Sequence, residues 1–200
     1  MIEVDVESRS AEWFALREGI PTASEFYKII TPRTGQLSAQ ADLYIGELIA
    51  EMIVKPDDVD SHWMERGRRL EQEAIDWYSF HTDTDVQPGG IIFLNDKSAA
   101  VSPDSRIGSK GLLEVKCLKP SHHVNYLLQG HLPSEFRPQT HGALYISQRE
   151  WLDFVLYCPG FKHLLVRVVP DDYTERVATA LWQFINRLNA AKSRIFEGVV

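Results

Sequence analysis

The sequence predicts an α/β protein with a central mixed β-sheet flanked by helices. Three observations lead there. Apolar residues recur at helical spacing up to Phe80 and again from Asp171 onward. Between Val86 and Val169 the texture changes to short β-rich runs separated by turn residues. Helical stretches also interrupt those runs, which places helices on both faces of one sheet.

Ser10 precedes Ala11–Arg17 as a helix cap, and Pro21-Thr22 leads into a helical stretch over 23–30. Thr31-Pro32-Arg33-Thr34-Gly35 reads as a loop. Apolar residues at 43, 45, 48, 49, 52 and 53 predict a helix over 38–54, ended by Lys55-Pro56-Asp57-Asp58. A long helix follows over 62–80. Val86-Gln87-Pro88-Gly89-Gly90 makes a turn, and strands are predicted over 91–94, 99–102 and 112–117. Helices over 122–129 and 138–147, strands over 151–157 and 164–169, and an amphipathic helix over 171–196 complete the order. Val177, Leu181, Phe184, Ile185 and Leu188 share one face of that last helix.

A chain of 200 residues suits one domain, expected to span 1–200. No apolar run approaches a membrane span, and the acidic start Met1-Ile2-Glu3-Val4-Asp5 does not resemble a secretory signal. Cys117 and Cys158 form no CxxC pair, so they give no zinc or iron–sulfur signature, and a reducing, cytoplasmic setting is expected. The formal charge of −7 favours, on its own, a partner that is not a polyanion. A polyanion would require a locally basic channel within an acidic exterior.

The chemistry concentrates at Ser102-Pro103-Asp104 and Leu113-Glu114-Val115-Lys116. Strand side chains alternate faces, so Glu114 and Lys116 project together while Val115 points into the core. Asp104, at the end of the strand over 99–102 and joined by a hairpin, is expected to approach Glu114. Two carboxylates and the Val115 carbonyl form a hard oxygen set suited to Mg²⁺, with Lys116 placed to orient or deprotonate a water. The ordinary alternative is a turn aspartate and a solvated Glu-Lys pair. The apolar company of Leu112, Leu113, Val115 and Cys117 weighs against it, because charged groups on a buried strand need a reason.

Glu71, within Arg66-Gly67-Arg68-Arg69-Leu70-Glu71, is placed to complete a metal shell, and Arg68 and Arg69 to meet phosphates. A salt-bridged helix face is the competing account. Gln139 opens a helix and can hold a water or phosphate oxygen. Arg17 and Ser24 can grip a terminal phosphate.

In this order these stretches resemble the lambda-exonuclease (YqaJ-like) family of phage recombination nucleases, within the PD-(D/E)XK superfamily and its restriction-endonuclease-like core. The likeness rests on W-x-x-L-R-x-G-x-x-T-A-S (13–24), G-x-x-x-E (67–71), S-P-D (102–104), L-E-x-K-C (113–117) and the Gln139 helix. It implies a Mg²⁺-dependent 5′-to-3′ exonuclease that digests one strand of double-stranded DNA from its ends to mononucleotides. Two Mg²⁺ per site are implied, with Mn²⁺ able to substitute. Asp104, Glu114 and the Val115 carbonyl would hold metal, Lys116 would be the catalytic lysine, Glu71 would assist the second metal or the water, and Gln139 would position the nucleophile.

Arg17, Ser24 and Ser102 would form a 5′-phosphate pocket. Arg33 would reach DNA from its loop, and Met64 would split the terminal base pair. Relatives carry an arginine after the catalytic lysine where this chain has Ser121-His122-His123, and His122 is the candidate replacement. The resemblance further implies a homotrimeric ring around DNA and a single-strand annealing protein as partner, in a bacterial or phage-infected cytoplasm. Two readings compete with it: another PD-(D/E)XK nuclease, such as an endonuclease, and a non-catalytic DNA-binding module.

Overall fold

The structure, a computed structural model, describes residues 1–54 and 62–197, without the side chains of residues 62, 63, 64 and 68. Five strands form the main sheet in the order β2 (Gln87–Pro88), β5 (Ser105–Ile107), β6 (Gly111–Lys116), β7 (Trp151–Leu156) and β8 (Leu164–Val168). Only β6 and β7 run parallel, in the register Glu114↔Phe154; the other neighbours are antiparallel. The sheet is therefore mixed, as expected. A smaller sheet pairs β1 (Ile2–Val4), β3 (Ile91–Phe93) and β4 (Ala100–Val101). Among the described residues no helix is long and apolar enough to cross a membrane.

The parallel β6–β7 pair needs a crossover, since a hairpin cannot join parallel strands. It is supplied by α4 (Pro120–Gln129), a 3-10 turn at Ser134–Phe136, and α5 (Arg137–Ser147). Both helices start with proline in the first turn, where the missing N–H has no intrahelical role. The α5 helix lies on the sheet face that carries Leu112, Phe154 and Leu156, together with α2 (Ala41–Glu51) and α6 (Asp172–Phe196). Asp171 caps α6 in a reciprocal box with Thr174, and its apolar face is buried through Val177, Leu181, Phe184 and Leu188. The opposite sheet face, with Leu113, Val115 and Val155, meets Ala74, Ile75 and Tyr78 of α3 (His62–Thr82). Burying a side chain such as Phe154 on a sheet covered from both sides contributes about 2–3 kcal/mol.

Several local expectations change. Residues 99–102 do not pair with the 111–116 strand; Ala100 and Val101 pair with β3. The neighbour of β6 is β5, which begins after Asp104 and returns through Gly108–Lys110 as a hairpin. Asp104 thus starts a strand rather than ending one. Polar Ser105 and Arg106 concealed that short strand. The stretch after Thr22 is a 3-10 helix, Ala23–Lys28, rather than an α-helix. α1 (Ala11–Arg17) is capped as expected, with the Ser10 hydroxyl accepting from the Trp13 N–H at 3.1 Å.

Two glycines fix the approach of these parts. A Cβ on Gly89 would fall 1.7 Å from the Pro103 carbonyl oxygen, so only glycine lets the chain pass behind Asp104. A Cβ on Gly142 would fall 2.3 Å from the Phe26 ring, so α5 sits directly against the 3-10 helix that carries Ser24.

Candidate active site

Glu114 and Lys116 stand two residues apart on β6, and period-two alternation brings them to one face. Lys116 Nζ lies 2.6 Å from Glu114 Oε1, and Gln139 Nε2 of α5 donates to the same oxygen at 2.5 Å. Both donors converge on Oε1; among the described residues no donor meets Oε2. The carboxylate is almost fully buried, at 3% exposure. A buried charge with one oxygen left open is an arrangement that folding alone does not favour.

Asp104 enters from the other edge of β6. Its backbone N–H donates to the Leu113 carbonyl at 3.1 Å, and its Oδ2 accepts from the Val115 N–H at 2.6 Å. Its second oxygen likewise meets no donor among the described residues. In a β-strand the N–H and C=O of one residue share an edge. The Val115 carbonyl therefore turns toward Asp104, whereas the next carbonyl, of Lys116, turns to β7 and accepts from Tyr157 N at 3.0 Å.

The electrostatics agree with a gathering of acids. Burial, then the charge of Glu114, raises the Asp104 carboxyl well above its ordinary 3.8, and Lys116 only partly offsets this. Burial and Glu114 also raise Glu71, midway along α3, against the pull of Arg9 and Lys116. Burial works against the Lys116 ammonium, but Glu114 and Asp104 outweigh it and hold the group above its ordinary value. Burial, Asp104 and Glu71 push the neighbouring Cys117 thiol up to about 12, which leaves it unreactive at neutral pH.

Among the described residues no three His, Cys, Asp or Glu groups form a closed metal cage. The donor set is instead an open one, with Asp104 and Glu114 each offering a free oxygen beside the Val115 carbonyl. Hard oxygens of this kind fit Mg²⁺ or a similar small divalent cation, which retains waters and tolerates few protein ligands.

A cleft of about 450 Å³ leads to this cluster, lined by Ser24, Tyr27, Pro32, Lys116, Glu135, Phe136 and Gln139. It joins the β6 chemistry to the 3-10 helix after Thr22. Arg17 belongs to the same neighbourhood. Its guanidinium stacks 3.7 Å over the Trp13 ring and donates to Thr22 Oγ1 at 3.1 Å, and Thr22 Oγ1 lies 3.4 Å from Ser24 Oγ. Burial lowers Arg17 to about 10, so it stays charged at neutral pH. Ser102 Oγ is buried and, among the described residues, has no hydrogen-bond partner. A bridge between Thr22 and Ala100 aligns the two hydroxyl-bearing segments.

The structure thus brings together Lys116, Glu114, Asp104, Val115, Gln139 and Ser24, with Glu71 within electrostatic reach and Arg17 linked to Ser24 through Thr22. Arg33 is exposed on its loop, next in sequence to Pro32, which lines the cleft. His122 is exposed on α4, while its neighbour His123 is buried and bonds the Lys162 carbonyl at 2.8 Å. The wedge expected at Met64 and the phosphate contact expected at Arg68 lie outside the described residues. Thr22, Tyr27 and Phe136 were not expected in the site. Thr22 lies inside the T-A-S stretch, so its signal was present; the two aromatic rings carry no motif.

Residues 12–150 match the family described as YqaJ-like viral recombinase domain. No curated protein matches the chain. The crystal structure of an alkaline exonuclease (LHK-Exo) from Laribacter hongkongensis is similar with a TM-score of 0.83 at 26% identity, covering 93% of this chain and 96% of that one. The structure of LHK-Exo in complex with dAMP gives the same TM-score of 0.83 at 26% identity, covering 93% and 96%. A phage-related exonuclease from Haemophilus somnus 129PT shares the fold, with a TM-score of 0.61 at 14% identity over 86% of this chain and 96% of that one.

Proposed function

The chain belongs to the YqaJ-like viral recombinase domain family, and from that premise we propose that it is a Mg²⁺-dependent 5′-to-3′ exonuclease acting on double-stranded DNA ends. The observation that carries the reading is the pair of open carboxylate oxygens, on Asp104 and Glu114, beside Lys116 and at the foot of a cleft. The likeness to an alkaline exonuclease supports the reaction class, and that enzyme's dAMP complex supports a mononucleotide product.

Asp104, Glu114 and the Val115 carbonyl would hold the cation, with Glu71 beside a second one; Mn²⁺ is expected to substitute. When bound, the cation neutralises phosphate charge and makes a water more acidic. Lys116, which stays charged beside Glu114 and Asp104, orients the attacking water, whose proton passes to solvent, and supplies the proton to the leaving oxygen, while Gln139 fixes the Glu114 carboxylate and the water by its amide. Water attacks the phosphorus of the first internal phosphodiester. The bond to the 3′ oxygen of the terminal nucleotide breaks, and that oxygen leaves with a proton. A 5′-mononucleotide departs, and the shortened strand keeps a 5′ phosphate.

Arg17, Ser24 and Ser102 would receive that phosphate and set the next cut, with Thr22 orienting Arg17. Arg33, His122 and Met64 are the further DNA contacts assigned by this reading. The remaining strand is a 3′ overhang suited to a single-strand annealing protein. A homotrimeric ring formed by this single nuclease domain would reconcile the −7 charge with DNA by confining basic groups to a channel.

The test is digestion of a linear duplex bearing one 5′-phosphate end, alongside a covalently closed circle, with Mg²⁺ or with EDTA. The reading expects 5′-mononucleotides from the linear substrate with Mg²⁺ alone and an intact circle. Nicking of the circle would instead favour an endonuclease. No Mg²⁺-dependent hydrolysis of either substrate would favour a non-catalytic DNA-binding module.

A further inference from the structure

Arg17 and Thr22 stand at the two ends of a tight turn, and Gly19 lies between them. Gly19 is buried with φ +69°, a backbone that glycine adopts freely and a side chain adopts at a cost. Its N–H and its carbonyl are held by opposite charges from two helices. Glu51 Oε1, at the last residue of α2, accepts from the Gly19 N–H at 2.8 Å. Lys192 Nζ of α6 donates to the Gly19 carbonyl at 2.6 Å. Both side chains are half-buried, so water and salt weaken these charge-assisted bonds less than they would on an open surface.

The rest of the turn is fixed by its backbone. The Ile20 N–H donates to the Arg17 carbonyl at 3.3 Å, and the Pro21 carbonyl accepts from the Ala100 N–H at 3.0 Å. The Thr22 N–H donates to the Tyr44 hydroxyl of α2 at 3.3 Å. The Thr22 side chain in turn meets Arg17 and Ser24.

The place of the Glu51 carboxylate matters as much as its bond. Among the described residues Arg17 makes no ion pair; its guanidinium stacks on Trp13 and gives one hydrogen bond, to Thr22 Oγ1. A guanidinium has five N–H donors, so several stay open to an anion. A carboxylate seated on them would compete with a phosphate for the same fork. Glu51 is instead engaged by the backbone of Gly19.

We infer that Glu51 and Lys192 are positioning residues for the terminal 5′ phosphate: clasping Gly19 from both sides, they fix the turn that sets Arg17 and Thr22 beside Ser24 and keep an acid off the Arg17 fork. The inference rests on the exonuclease reading and deepens its phosphate pocket.

The experiment measures kcat and KM in Mg²⁺ on linear duplexes with 5′-phosphate or 5′-hydroxyl ends, for wild type, Glu51→Ala, Glu51→Gln and Lys192→Met. Melting temperatures report folding. Glu51→Ala should lose about three- to tenfold of the kcat/KM preference for 5′-phosphate ends, the effect of one charge-assisted bond. Glu51→Gln keeps an oxygen for the Gly19 N–H and should keep most of the preference. Lys192→Met should lose part of it, and decides the matter alone if Glu51→Ala does not fold. In an Arg17→Ala background, Glu51→Ala should change the ratio no further. A merely structural loss would lower cleavage of both ends equally, and that result in Glu51→Ala and Lys192→Met would overturn the inference while leaving the exonuclease reading intact. So would a Glu51→Gln as impaired as Glu51→Ala, which would make charge, and not the hold on Gly19, the cause. A wild-type protein that digests both ends equally well would remove the phosphate pocket, and the inference with it. One that digests neither duplex would overturn the exonuclease reading itself.

Discussion

Two buried carboxylates occupy adjacent central strands, and they are treated in opposite ways. Asp153 of β7, at 2% exposure, has both oxygens covered: Arg167 donates to each at 2.8 Å, and the Tyr78 hydroxyl adds a bond of 2.7 Å. Arg167 itself stacks 3.8 Å over Trp151. Glu114 of β6, at 3% exposure, faces the other side of the sheet, takes two donors on one oxygen and leaves the second open. Asp153 has a cation and a phenol for company; Glu114 has two further acids, Asp104 and Glu71, within electrostatic reach. Burial of a charge therefore does not mark a site. Convergence of like charges with open valences does, because nothing in folding rewards it unless a cation joins.

The contrast breaks most visibly at Glu114. Glu114→Gln should lower Mg²⁺-dependent hydrolysis on the order of a thousandfold or more, the several kcal/mol of a metal-assisted step. Its melting temperature should hold or rise, since one of three crowded acids becomes neutral. Lys116→Met should lower turnover by about 10²–10⁴-fold, the range of a proton-transfer group, with DNA affinity in EDTA kept within a few-fold. Single-turnover kinetics separates that loss from a binding defect.

Asp153→Asn should do the reverse, with stability reduced by about 2 kcal/mol and activity per folded molecule unchanged. That figure is scaled down from about 3–5 kcal/mol for a fully buried pair, because Arg167 is more than half exposed and screened by water. Urea unfolding with the unchanged m-value of a folded protein checks it.

The sequence made much of this legible where residue type alone carries the signal. Glu114 and Lys116 share a face by strand alternation, and their apolar neighbours showed that the strand is buried. Asp153 was not singled out, because one acid inside Trp151-Leu152-Asp153-Phe154 reads as part of a strand. Its partners, Tyr78 and Arg167, are distant in sequence. Asp104 was chosen correctly as a neighbour of Glu114, but for a strand that does not pair with β6. The true partner, Ser105-Arg106-Ile107, is short and polar, and its place is set by the passage of Gly89 behind Pro103. Tyr27 and Phe136 escaped notice because only the packing of α5 against the 3-10 helix makes them walls of one cleft.

The smallest expected effect sharpens the same comparison through pH. The folded Asp104 carboxyl titrates above its ordinary 3.8, so without metal the folded state holds a proton that the unfolded chain releases. Metal-free stability should therefore fall as pH rises from 3.8 through that raised value. Added Mg²⁺ must displace the proton, so its stabilisation should be larger at a pH above that raised value than at one below it. Thermal melts of wild type and Glu114→Gln at the two pH values check this, and the variant should show little Mg²⁺ dependence at either.

The central claim is that the open oxygens of Asp104 and Glu114 share a divalent cation, and anomalous scattering from crystals grown with Mn²⁺ tests it most directly. The account predicts a Mn²⁺ peak touching both carboxylates and the Val115 carbonyl, lost in Glu114→Gln. A fully active protein whose Mn²⁺ binds elsewhere, with Asp104 and Glu114 left to Lys116 and solvent, would contradict it.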